Sequence, residues 1–168
     1  MKRAFLFAVP LLFSAAALQA QTAHADLINA KGDKVGSATL KETKSGVKID
    51  LTASQLPPGP HALHIHAVGK CEAPAFTTAG GHFNPDAKKH GSKNPDGSHN
   101  GDLPNFDVGA DGKAKVSITA AHVTLKDGPN SLFHPDGTAL MIHEKSDDYM
   151  TDPTGNAGSR IACGVIQK

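Results

Sequence analysis

The chain has 168 residues, 39% hydrophobic and 20% charged, with a formal charge of +1. That length suits one domain around one core, and the composition excludes a disordered chain. Lys2 and Arg3 supply part of the charge, so a chain without its first residues is near neutral or slightly acidic, and no basic patch fits a nucleic-acid partner.

The first stretch, MKRAFLFAVPLLFSAAALQA, has a basic start, an apolar run from Ala4 to about Leu18 and small residues at its end. This is the pattern of a secretory signal peptide. Pro10 interrupts the run, which falls short of the roughly 20 apolar residues of a spanning helix, so no membrane anchor is expected after removal. Cleavage is expected after Ala20 or, at an A-x-A site, after Ala25. Residues 21–168 then form one exported domain, with the periplasm as the expected compartment. Cys71 and Cys163 are the two cysteines, and an even pair in an exported chain reads as a disulfide closing a loop worth roughly 4–5 kcal/mol of chain entropy.

Downstream, ADLINA, VGSATLKET, GVKIDLTAS, HALHIHAVG, AKVSITAA, TALMIHEK and RIACGVI alternate with the two-residue period of strands. KGDK, LPPGP, ADGK, KDGPN and HPDG between them carry turn chemistry. No long segment has a 3.6-residue period, so crossovers for a parallel sheet are missing. Seven or eight short strands predict an all-β sandwich or flattened barrel. Two stretches break the rhythm, Cys71 to about Phe106 and Glu144 to Ser159. Loops of that length in a compact domain are usually functional or disordered.

The ligand-type residues gather at strand ends and in the first loop. His64 and His66 in HALHIH leave one face of a strand with Cα atoms about 6.5–7 Å apart, close enough to share a metal. In GGHFNPDAKKHGSKNPDGSHNGD, His82, His90, His99 and Asp102 offer three imidazoles and a carboxylate, a closed tetrahedral set suited to structural zinc. A loop with so little apolar content cannot stabilise itself by burial, and a bound metal can supply the missing free energy. His143 in ALMIHEK, with His64, His66 and one loop histidine, makes an all-imidazole set that suits copper.

HALHIHAVGKC, GGHFNPDAKKHG, HNGDLPNF, MIHEKSDD and GNAGSRIACGVI together resemble, in order and spacing, the motifs of copper/zinc superoxide dismutase. The likeness covers most of the chain after Ala25. It implies a Greek-key β-sandwich of about eight antiparallel strands with two long functional loops, holding one copper and one zinc ion per chain. Copper would be held by His64, His66, His82 and His143, and zinc by His82, His90, His99 and Asp102, with His82 an imidazolate shared by both. Asp147 would accept the other N–H groups of His64 and His90, and Arg160 would guide the anionic substrate to copper. The implied activity is dismutation of superoxide to O₂ and H₂O₂ by Cu(II)/Cu(I) cycling, with His82 releasing copper on reduction and carrying a proton.

The likeness has departures. Ala62 stands where the family commonly has glycine, and the 144–159 loop is shorter than in eukaryotic members, which it resembles less than bacterial ones. His61 is expected to pack beneath the copper site. His24, His122 and His134 are expected at surface or turn positions, Tyr149 in loop packing, and DDYMTDP as a solvated acidic loop apart from Asp147. The rival reading is a non-catalytic periplasmic copper or zinc carrier on the same fold, which has no need of a shared imidazole or of Arg160. Zinc hydrolysis fits less well, because the closed zinc set leaves no position for water. A homodimer is compatible with the sequence.

Overall fold

The computed structural model describes residues 21–168, so the segment read as an export signal lies outside the described residues. Nine strands run in the order β1 (Thr22–Asn29), β2 (Lys34–Thr43), β3 (Gly46–Ala53), β4 (Gly59–His61), β5 (Leu63–His66), β6 (Phe106–Val108), β7 (Ala114–Ala120), β8 (Ala139–His143) and β9 (Arg160–Val165). One 3-10 turn, Thr77–Ala79, interrupts the first long loop. No helix among the described residues is long and apolar enough to cross a membrane.

Seven strands form one antiparallel sheet in the order β5-β8-β9-β1-β2-β3-β7, and β4 pairs with β6 separately. Alternation explains the core: in β3 Val47, Ile49, Leu51 and Ala53 point inward while the residues between them are exposed or half-buried. β1 does the same with Ala23, Ala25 and Leu27. β5 and β8 differ, being buried on both faces. Their inner face adds Leu63, Ile65, Leu140 and Ile142 to the main core. On the outer face Ala139, Met141 and Cys163 join Phe76 and Ala79 in a second cluster roofed by the first loop.

All seven expected strand segments are present. The two short strands β4 and β6 are additions, since β4 begins inside LPPGP, which reads as a turn. Pro60 is tolerated there because β4 is an edge strand that pairs only with β6, at Pro60↔Asp107. Both long loops lie where the rhythm breaks. β8 and β9 pair with a register shift at Ile142/His143 that sets His143 opposite Arg160 and leaves Ile161 as the extra residue of a bulge.

Cys71 and Cys163 form the disulfide, with Cα atoms 5.6 Å apart, and tie the first loop to the buried outer face of β9. Thiol titration of the oxidised, unfolded protein should therefore find no free cysteine. Reduction, or replacement of both cysteines by serine, should lower the unfolding free energy by about 2–5 kcal/mol in a denaturant titration.

Candidate metal centre

His64 and His66 occupy the outer face of β5, and His143 ends the neighbouring β8. The far edge of β5 is not left bare, because the first loop hydrogen-bonds along it. Ile65 N–H donates to the Gly101 carbonyl at 2.9 Å, Phe83 N–H to the Ile65 carbonyl at 2.8 Å and Ala67 N–H to the Gly81 carbonyl at 2.9 Å. This pairing sets His82 beside His66 and Asp102 beside His64. Gly101 is required at the seam, since a Cβ there would collide with the Ile65 carbonyl oxygen.

Two groups of ligand atoms result, sharing His82: His64, His66, His82 and His143, and His82, His90, His99 and Asp102. In the first group the Nε2 atoms of His66 and His143 face each other at 3.4 Å. Nδ1 of His64 and Nε2 of His82 are buried with no hydrogen-bond partner. In the second group Oδ1 of Asp102 lies 2.9 Å from His82 Nδ1, 3.1 Å from His90 Nδ1 and 3.3 Å from His99 Nδ1. The Nδ1 atoms of His99 and His82 are 3.3 Å apart. A tetrahedron with zinc–ligand bonds near 2.0–2.1 Å has edges of about 3.3 Å, so these spacings fit a zinc ion. Orphaned buried nitrogens are costly, and a cation at the point they face removes the cost.

The opposite nitrogens are mostly anchored. His64 Nε2–H donates to Asp147 Oδ2 at 2.7 Å, and His90 Nε2–H donates to Asp147 Oδ1 at 3.0 Å. His66 Nδ1–H donates to the Gly80 carbonyl at 2.9 Å, and His143 Nδ1 lies 3.4 Å from the Gly158 carbonyl. Such acceptors fix the tautomer that presents a lone pair to a metal. The trio His64, His90 and Asp147 is thus a hydrogen-bonded brace between the two groups rather than a third site. Gly155 makes room for it, because a Cβ there would run into Asp147 Oδ1.

Burial, followed by the charge of a neighbouring imidazole, pushes His66 down to about 2 and His143 down to about 3. Burial also lowers His82, to about 4, against the opposing pull of Asp102. These three imidazoles are neutral at physiological pH, the form that ligates metals. His90 goes the other way: burial opposes its charge, but Asp102 and Asp147 raise it to about 9. Burial likewise opposes ionisation of Asp102 and Asp147, yet hydrogen bonds from their histidines hold both well below the carboxylate range. Two buried carboxylates therefore draw positive charge into the second group.

Arg160 stands at the rim. Its Nη1–H and Nη2–H donate to the carbonyls of Phe76 and Gly80, each at 2.7 Å. Gly80 O thus accepts from both the guanidinium and His66 Nδ1–H. His61 is buried as expected, with its nitrogens 2.7 and 2.8 Å from the carbonyls of His143 and Pro57. Ala62 is accommodated without exposure, its N–H donating to the Lys145 carbonyl at 2.8 Å. His24 and His122 are exposed. His134, in its expected turn, also stacks on Phe83 with ring centroids 5.2 Å apart.

The second loop is exposed at Asp148 and over residues 150–153, as expected of a solvated acidic stretch, and it is also internally bonded. Asp148 accepts hydrogen bonds from Met150 N, Thr151 N, Thr151 Oγ1 and Asn156 Nδ2, folding the loop on itself. Tyr149 Oη accepts the N–H of Asn105 at 2.8 Å. Asn105 was assigned no role by its motif, yet its side chain clamps the backbone of Asp147 on both sides, at 2.8 and 2.9 Å. The polar residue in DLPNF was the available clue, but its partner lies 42 positions away.

With this geometry in hand, the comparisons with known proteins agree. The family described as copper/zinc superoxide dismutase (SODC) matches residues 34–166. Superoxide dismutase [Cu-Zn] 1 of Aquifex aeolicus is 53% identical over 159 residues, covering 94% of each chain. Superoxide dismutase-like protein YojM of Bacillus subtilis is 46% identical over 146 residues, covering 85% of this chain and 74% of that one. Among solved structures, a SOD-like protein from Bacillus subtilis has a TM-score of 0.82 at 45% identity, covering 84% of this chain and 96% of that one. Cu/Zn superoxide dismutase from Brucella abortus has a TM-score of 0.72 at 29% identity, covering 88% of this chain and all of that one. The fold and the paired histidine groups define an antiparallel β metalloprotein with two adjoining sites. The chain belongs to the copper/zinc superoxide dismutase family, whose cofactors are one copper and one zinc ion.

Metal analysis of single variants should separate the two groups. His82→Ala should lower both metals, His64→Ala mainly copper and His99→Ala mainly zinc. Asp147→Ala, which removes the brace but no ligand, should weaken both by about 10–100-fold.

Proposed function

We propose that this chain is an exported copper/zinc superoxide dismutase that converts superoxide to O₂ and H₂O₂. One observation carries the reading: His82 turns one ring nitrogen to each of two adjoining ligand groups, with a guanidinium at the rim of the first. A carrier needs neither feature. When bound, copper would supply one-electron redox chemistry and zinc a fixed positive charge beside His82.

The remaining work falls to the chain. His64 Nδ1, His66 Nε2 and His143 Nε2 would hold the copper together with His82, and their outward nitrogens, braced by Asp147, Gly80 and Gly158, keep the rings oriented. His82 Nε2, buried without a hydrogen-bond partner, would take up a proton and hand it on, while Nδ1 keeps its contact with Asp102. Arg160 spends two N–H donors on the loop carbonyls, and the others are left for an anion. Gly80 O accepts from both Arg160 and His66, so the guanidinium and a copper ligand share one backbone support.

The metal-loaded protein should remove superoxide at a rate that falls with ionic strength, since an anion approaching a cation is steered through screened charge. Arg160→Ala should lose about tenfold or more at low salt, with a smaller deficit at high salt. A fully loaded protein without activity would leave the carrier reading.

For export, the β1 pairing favours cleavage after Ala20. Cleavage after Ala25 would remove Thr22 to Ala25, including buried Ala23 and Ala25 and their pairs with β2. Intact-mass measurement of the periplasmic protein should give Gln21 as the first residue, and a chain beginning at Asp26 would overturn that choice.

A further inference from the structure

Two carboxylates of the 144–159 loop reach the histidine-rich loop. Asp147 is the brace already described. The other, Asp152, belongs to neither ligand group. Its Oδ1 accepts the backbone N–H of His90 at 2.7 Å, and its Oδ2 lies 3.3 Å from Lys89 Nζ. The same Oδ1 stands 3.8 Å from Nε2 of His99. The hydrogen bond from His90 N–H, then Lys89, holds the carboxyl below its ordinary range.

The chemistry of His99 makes this placement informative. Of the imidazoles in the second group, His82 turns its other nitrogen to the first group, and His90 Nε2–H donates to Asp147. His99 has no comparable partner within hydrogen-bond range, and the carboxylate facing its Nε2 is Asp152. A metal at His99 Nδ1 takes that lone pair, so the ring proton must sit on Nε2. At 3.8 Å the contact is longer than a hydrogen bond, so Asp152 acts on the ring as a nearby negative charge that favours the proton on Nε2 and strengthens the lone pair on Nδ1.

We propose that Asp152 is a positioning residue of the zinc site, holding His90 through its main-chain N–H and setting its charge beside the ring of His99. This rests on the reading of His82, His90, His99 and Asp102 as the zinc ligands. Asp147 braces one ligand of each metal, whereas Asp152 braces two ligands of zinc alone. The perturbation should therefore be confined to zinc. A surface ion pair with Lys89 and nothing more would leave zinc affinity untouched.

The test is competition for zinc between a chelator and the copper-loaded protein, together with the absorption spectrum of protein carrying cobalt in the second group. Asp152→Ala should lower zinc affinity by about 10–100-fold with copper retained, and should shift the cobalt bands. Asp152→Asn, which keeps an oxygen for the His90 N–H, should recover part of the loss, and Lys89→Ala should match the native protein. Native zinc affinity and a native cobalt spectrum in Asp152→Ala would overturn the proposal. Should that variant fail to fold, Asp152→Asn decides: cobalt bands shifted from the native positions support the role and a native spectrum overturns it. His99→Ala separates the two levels. If it binds zinc as the native protein does, the zinc assignment itself fails; if it weakens zinc while Asp152→Ala does not, only the role of Asp152 fails.

Discussion

Six imidazoles and two carboxylates share one largely buried pocket, and each ring has two nitrogens that need a partner. That requirement governs the rest of the structure. The outward nitrogens of His64, His66 and His90 find acceptors in Asp147 and the Gly80 carbonyl. The inward Nδ1 of His64 and Nε2 of His82 find none in the chain, and Nδ1 of His90 has only Asp102 Oδ1 beside it at 3.1 Å. Leaving polar atoms buried and unpaired costs free energy, so the fold is complete in energetic terms only with cations where those atoms converge.

The main core and the loops are stabilised by different physics. Between the strands, alternating Val, Ile, Leu and Ala side chains bury apolar surface. Across the two long loops, polar contacts do the corresponding work: Asp102 accepts the N–H groups of Gly91 and His99 while facing three imidazoles, and Asn105 clamps Asp147. These bonds are directional and interdependent, so the loops order as a unit around the ligands.

The rim of the site is tied to the sheet through β9. Ala162 faces the main core, Cys163 carries the disulfide to the first loop, and the bulge at Ile161 turns Arg160 to stand opposite His143. The same loop returns the carbonyls of Phe76 and Gly80 to that arginine. The disulfide, the guanidinium and His66 are thereby linked through one loop, and slack in it would reach both Arg160 and the first histidine group.

Strands β1, β2, β3, β5, β7, β8 and β9 were legible in the sequence because a half-buried strand must alternate, and alternation is local. The ligand sets were legible too, since imidazole and carboxylate are scarce chemistries and their motifs occur together. Strands β4 and β6 were hidden because three residues are too few for a period to show. The contacts of Asn105, Asp148 and Asp152 were hidden for another reason: an Asp or Asn in a polar loop has the same local pattern whether it meets solvent or a distant N–H. Asp152 lies 62 residues from His90 and Asn105 lies 42 from Asp147. The sequence by itself determined the strands and the kinds of ligand. Only the tertiary structure decided which nitrogen of each ring is bonded outward and which is left facing its neighbours, and that Asn105 and Asp152 reach the loops that carry Asp147 and His90, because those choices depend on directional bonds between segments that only folding brings together.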